Sequence, residues 1–213
     1  MTEISELTHI IPPQQARSTR FLMRVLEAAE RILRRDGAGG LTMPAVAQEA
    51  GVSVGGIYRR FQTKQDLLRA IKDRHLTRSE HLMDTAMAGD LPSLDEVVRV
   101  FLATLIREPG AGSESLFAVI LESQGDDPVM KARGLLSVQL QRRAFAQALQ
   151  PFRDRIAHPD PDLAIEMAFL IAISTFLRRV KPDGRGGSPI GWSDLRRELA
   201  RAMTAYLQAP APT

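Results

Sequence analysis

Apolar residues along the chain recur at steps of three and four, and no stretch shows the strict alternation that marks a strand. The class this predicts is all-α. A first helix is expected from near Ser18 or Thr19, with Phe21, Leu22, Val25, Leu26, Ala29, Ile32 and Leu33 on one stripe, ended by Gly37, Gly39 and Gly40. Thr42 is placed to cap a short helix over Met43 to Ala50, and Gly51 to end it in the left-handed conformation. Ser53 caps another short helix, Val54 to Arg60, and Thr63 with Asp66 makes a capping box for a long one running from Lys64 towards Met83 and Met87. Further starts are Ser93 with Glu96, then Asp127-Pro128, then Asp160-Pro161. The first opens a helix that stops at Pro109-Gly110. The second opens one reaching about Ile156 with a break near Gly134, and residues 114 to 124 form a short apolar helix between them. The last two helices are an apolar one over Leu163 to Leu177 and a striped one carrying Trp192, Leu195, Leu199, Met203 and Tyr206, joined by residues 181 to 191.

The stretch from Thr42 to Lys64 organises the amino-terminal part. Two short helices joined by a glycine turn form a helix-turn-helix, whose second helix can enter the DNA major groove. Gly55 and Gly56 lie inside that second helix, where each costs roughly 1 kcal/mol relative to alanine. Core packing gains nothing from them, whereas close approach of the backbone to another surface does. Ile57 and Phe61, four apart, face inward, which leaves Tyr58, Arg59, Arg60 and Lys64 for phosphates and base edges. Val54 and Gly55 offer methyl contact and backbone approach, so base reading falls to Arg59 or Arg60. Candidate DNA-binding residues are therefore Thr42, Ser53, Val54, Gly55, Gly56, Tyr58, Arg59, Arg60 and Lys64.

The run T-x-x-x-V-A-x-x-A-G-V-S-x-G-x-I-Y-x-x-F-x-x-K-x-x-L, from Thr42 to Leu67, resembles the DNA-binding signature of the TetR family of transcriptional regulators. Residues 19 to 41 are also similar to that family's first helix and its G-x-x-x-L-T approach to the second. Arg60 departs from the pattern, standing where an aromatic residue or histidine is usual. The resemblance implies an N-terminal three-helix DNA-binding domain followed by a helical ligand-binding and dimerisation domain. The expected divisions are a tail over 1–18, the DNA-binding domain over 19–66, the effector domain over 67–208 and a tail over 209–213.

Charge fits this division. Residues 1 to 88 hold 13 Lys and Arg against 10 Asp and Glu, while residues 89 to 213 hold 15 of each, so the whole +3 lies with the helix-turn-helix. The 213 residues contain no cysteine, which removes disulfides, thiol nucleophiles and cysteine-bound zinc, and fits a reducing cytoplasm. No apolar run approaches the roughly 18 to 20 residues of a membrane span. His9, His75, His81 and His158 show no metal-ligand spacing, and no nucleophile elbow, phosphate loop or dinucleotide fingerprint is present. No enzyme, cofactor or metal is expected; a non-specific or architectural DNA-binding protein is the main alternative, and an enzyme a remote one.

The expected partners are double-stranded DNA with a near-palindromic operator, a small and largely apolar effector, and a second copy of the chain. An effector pocket is expected among Phe101, Leu105, Phe117, Ile120, Leu121, Gln124, Met130, Gln139, Phe145, Met167, Ile171 and Ser174. A homodimer seam is expected from Leu163, Leu170, Leu177, Trp192, Leu195, Leu199, Met203 and Tyr206. The functional expectation is a cytoplasmic homodimeric repressor released from DNA when ligand shifts the spacing of its two heads.

Overall fold

The computed structural model describes residues 13–106, 116–123, 125–180 and 190–210, with only the backbone of 13–16, 122 and 123. Within them lie α1 (Pro13–Gly40), α2 (Met43–Ala50), α3 (Val54–Tyr58), α4 (Lys64–Met87), α5 (Leu94–Leu105), α6 (Leu116–Ser123), α7 (Pro128–Leu149), α8 (Pro161–Val180) and α9 (Trp192–Gln208). A 3-10 turn, Gln150–Arg155, follows α7. The described residues form no strand. The chain divides into two compact units, Met1–Leu67 and Leu68–Thr213.

In the first unit, α1 begins at Pro13, five residues before the expected start. Pro12-Pro13 does not prevent this, because proline is tolerated at the first helical position, where its missing N–H has no intrahelical partner to lose. Gly37 breaks the helix at φ 66°, in the left-handed region. Val25, Ala28, Ala29, Ile32 and Leu33 of α1 are buried with Met43, Val46 and Ala47 of α2, Ile57 of α3 and Phe61. Thr42 Oγ1 accepts the Ala45 N–H at 3.2 Å, and Ser53 Oγ accepts the Gly56 N–H at 3.1 Å. Both short helices thus start on the expected caps.

The second unit has a core of three phenylalanines from three helices. Phe101 of α5 lies 4.4 Å from Phe145 of α7 and 5.9 Å from Phe169 of α8, centroid to centroid. Met83 of α4 and Leu199, Met203 and Leu207 of α9 complete that cluster. A second aromatic series runs His75, Phe117, Phe176, with near-parallel rings 5.5 and 5.7 Å apart, and links α4, α6 and α8. Helix α7 passes through Gly134 unbroken and ends at Leu149, with Pro151 in the 3-10 turn that follows.

Polar bonds join α4 to the first half of α7. Arg69 pairs with Asp127 at 2.8 Å, and Lys72 donates to the Met130 carbonyl at 2.6 Å. Burial pulls the Lys72 pKa down, opposed by the Asp127 carboxylate. Arg133 reaches from α7 to Asp73 and Glu80, at 2.6 Å each, and to Thr77 at 3.1 Å. Gly134 leaves room for this arrangement: a Cβ there would stand 3.3 Å from Lys72 Nζ.

Phe145 is fully buried between two other rings, so its truncation removes both transfer energy and contacts. Phe145→Ala is expected to lower unfolding free energy by about 3–5 kcal/mol in a denaturant titration.

Candidate nucleic-acid interface

Helix α3 is only five residues long, and the unit supplies what such a segment cannot supply for itself. Gly51, at φ 62°, ends α2, and its N–H meets the carbonyls of Ala47 and Gln48. The Val52 N–H also bonds to Ala47 O, at 3.0 Å. Arg24, from α1, donates to the carbonyls of Ala50 at 2.6 Å and Gly51 at 3.1 Å. Guanidinium is well suited to this position, since the carbonyl end of a helix carries partial negative charge. Arg24 therefore positions the turn. Its partners lie 26 and 27 residues further on, and no local sequence signal announces the bond.

Two more bonds from α1 to α2 lie at the surface. Arg31 pairs with Glu49 at 2.8 Å and Arg35 with Glu49 at 3.4 Å. Hydrogen bonds from Arg31 and then Arg35 hold the Glu49 carboxyl below the usual carboxylate range. These groups are solvent-exposed, so they add little stability.

The two glycines of α3 have different surroundings. A Cβ on Gly56 would stand 3.0 Å from Ser53 Oγ and 3.3 Å from two ring carbons of Phe21. Gly56 lets α3 lie against the start of α1. A Cβ on Gly55 would meet nothing within 4 Å, and Gly55 has no left-handed φ. Neither packing nor backbone conformation within the described residues requires glycine at 55.

The remaining candidates are distributed around this face. Val54 is 36% exposed and Tyr58 49%, while Ile57 and Phe61 are buried as expected. Helix α3 ends at Tyr58, with Arg59 as its C-cap, two residues short of the expected end. The three cations differ. Arg60 donates to Ser18 Oγ at 2.5 Å, and Lys64 donates to the Ala38 carbonyl at 2.8 Å, covering the end of α1 near its break at Gly37. The Arg59 side chain has no hydrogen-bond or ion-pair partner among the described residues. Thr42 and Ser53 are exposed while serving as caps. The capping box at the start of α4 is present: Thr63 Oγ1 accepts the Asp66 N–H at 3.1 Å, and Asp66 accepts from the Thr63 N–H at 2.9 Å.

The described residues among the expected effector set differ in exposure. Phe101, Leu105, Ile120, Met130 and Phe145 are buried in packed interior. Phe117 and Leu121 are half-buried, and Gln139 is exposed on α7. Met167, Ile171 and Ser174 are exposed on α8, in one stripe with Leu163 and Leu170 of the expected dimer seam. Gln124 lies outside the described residues. Of the rest of that seam, Leu199 and Met203 of α9 are buried in their own chain's core, while Trp192, Leu195 and Tyr206 of α9 and Leu177 of α8 are half-buried. A three-four repeat records burial without recording which molecule provides it.

Residues 25–71 match the family described as bacterial regulatory proteins, tetR family. The chain is similar to the HTH-type transcriptional repressor DrrR1 of Streptomyces coeruleorubidus, at 35% identity over 98 residues covering 46% of this chain and 36% of that protein. It is similar also to the HTH-type transcriptional regulator TtgR of Pseudomonas putida, at 32% identity over 77 residues covering 36% of each. The match thus spans little more than a third of either relative. A structure from Mesorhizobium loti MAFF303099, described as a tetR-family transcriptional regulator, superposes with a TM-score of 0.68 at 18% identity, covering 90% of this chain and 96% of that one. The transcriptional regulator FadR of Bacillus subtilis, in complex with stearoyl-CoA, superposes with a TM-score of 0.60 at 15% identity, covering 86% and 98%. At these identities the likeness is one of fold.

The glycine pair gives a direct test. Gly55→Ala should keep or raise the melting midpoint, by up to about 1 kcal/mol of helix propensity, and weaken DNA binding. Gly56→Ala should lower the midpoint. Circular dichroism melts and fluorescence anisotropy with duplex DNA read the two effects separately. Unchanged DNA affinity in Gly55→Ala would remove the reason given for that glycine.

Proposed function

By residues 25–71 this chain belongs to the tetR family of bacterial regulatory proteins, and from that premise we propose that it is a homodimeric, ligand-responsive repressor of transcription acting on a near-palindromic operator in the cytoplasm. The observation that carries the reading is the open edge of α3. It combines a glycine that the fold does not require, an exposed phenol at Tyr58 and an unengaged guanidinium at Arg59. A phenol and a backbone free of side chain suit phosphate contact, and a guanidinium suits phosphate or the O6 and N7 acceptors of guanine. Thr42 and Ser53, at the starts of α2 and α3, add hydroxyls beside helix amino termini, where anions are favoured.

Arg59 is proposed as the principal reader. Arg60 and Lys64 must give up Ser18 and the Ala38 carbonyl before they contact DNA, so their contribution is reduced by the bonds they lose. Two copies are proposed to meet across the α8 stripe of Leu163, Met167, Leu170 and Ile171, which presents large apolar side chains to solvent in the single chain. Leu135, Leu136 and Leu140 of α7 extend the apolar surface, with the Arg142–Glu166 pair at 2.9 Å joining the two helices. A two-fold dimer presents two α3 helices and accounts for a palindrome. An effector that binds one head spacing better than another then shifts the population off DNA.

Selection of bound duplexes from a random pool should return a near-palindrome; recovery of unselected sequence would favour the non-specific reading. On the selected site, Arg59→Ala should cost about 1–3 kcal/mol and relax base preference at one position in each half-site. Lys64→Ala should weaken binding less and alike across sequences. Leu170→Glu should give a monomer in sedimentation velocity with the helical content retained, and DNA affinity should fall with it. A dimeric Leu170→Glu protein would place the seam elsewhere.

A further inference from the structure

One cleft in the second unit is lined by none of the residues expected to hold an effector. Helices α4 and α7 are tied together by Arg69, Lys72 and Arg133 over the first half of α7. Beyond those ties the facing residues shorten to Ala144 and Ala148, and a cleft of about 440 Å³ opens. That size falls within the roughly 300–1,000 Å³ of small-molecule sites. Asp84 and Met87 of α4, Asp90 and Leu91 of the turn towards α5, and Phe152 of the 3-10 turn form its remaining principal walls.

The charge on these walls has one sign. Asp84 and Asp90 line the cleft, and no Lys, Arg or His does. Neither carboxylate is paired among the described residues. Arg155 stands 5.7 Å over the Phe152 ring without lining the cleft. Both carboxylates want the same chemistry, a donor of positive or partly positive hydrogen, and the rest of the lining is apolar apart from Gln147.

We infer that this cleft binds a small molecule with a protonated amine on a compact apolar or aromatic body. Asp84 and Asp90 hold the ammonium, and Met87, Leu91 and Phe152 take the body. The inference deepens the effector reading and rests on that reading for its meaning, but binding is measurable on the DNA-free protein.

The test is isothermal titration of the full chain with 1-naphthylmethylammonium, 1-naphthylmethanol and 1-naphthylacetate, which share a ring system and differ in charge. The amine should bind, the alcohol about tenfold more weakly, and the anion not at all. Asp84→Asn combined with Asp90→Asn should reduce amine affinity about tenfold or more with an unchanged melting midpoint. Ala148→Phe, which fills the cleft from a half-buried position on its wall, should abolish it with helical content retained. Equal affinity for the three probes, amine binding untouched by both variants, or no binding of the amine each overturns the inference. Binding by the amine without release of the selected duplex supports the cleft and sinks the effector reading, so the two failures are told apart.

Discussion

A five-residue helix has no independent stability, and the first unit is built around supplying it from outside. The arginine at position 24 takes two carbonyl oxygens at the end of α2, Gly51 reverses the chain without a Cβ clash, and Ser53 captures an amide at the start of α3. Each bond satisfies a backbone group that a helix end leaves open. Together they set the angle between α2 and α3, and the apolar contacts of Ile57 and Phe61 then hold that angle. The α3 face that remains needs nothing from the fold, which is why it is available for an external surface.

The second unit applies the opposite rule. Its ties between α4 and α7 are polar and concentrated at one end, and its aromatic core sits beside α5, α7 and α8. Past those ties, the small residues at 144 and 148 line a cleft with Asp84 and Met87 of α4.

Much of this was legible from residue order alone. Thr42, Ser53, Thr63, Ser93 and Asp127 all act as the caps their side chains suit, because capping is a matter of neighbours two or three residues away. Gly51 was legible for the same reason. The engagement of Arg60 with Ser18 and of Lys64 with Ala38 was not, because those partners lie 42 and 26 residues away. The start of α1 escapes a sequence reading because Pro13 opens a helix as readily as it stops one. The stripe on α9 was legible as buried, yet periodicity cannot say whether the burial is against the same chain or a copy of it. The expected effector residues are mainly large and apolar, a property shared by any core, and Phe101, Leu105, Ile120, Met130 and Phe145 are buried.

The contrast between the neighbouring glycines reaches beyond the two positions. At 56, whatever disturbs function does so through the folded state, because the hydrogen atom there is a packing atom against Phe21. At 55, where a Cβ would meet nothing within 4 Å, the proposed DNA contact decouples foldedness from performance. Cellular abundance of variants would report tolerance at that codon while a promoter-activity readout reported intolerance, and the two readouts would agree one codon later. A surface exempt from the demands of its own scaffold is recognisable by such a divergence.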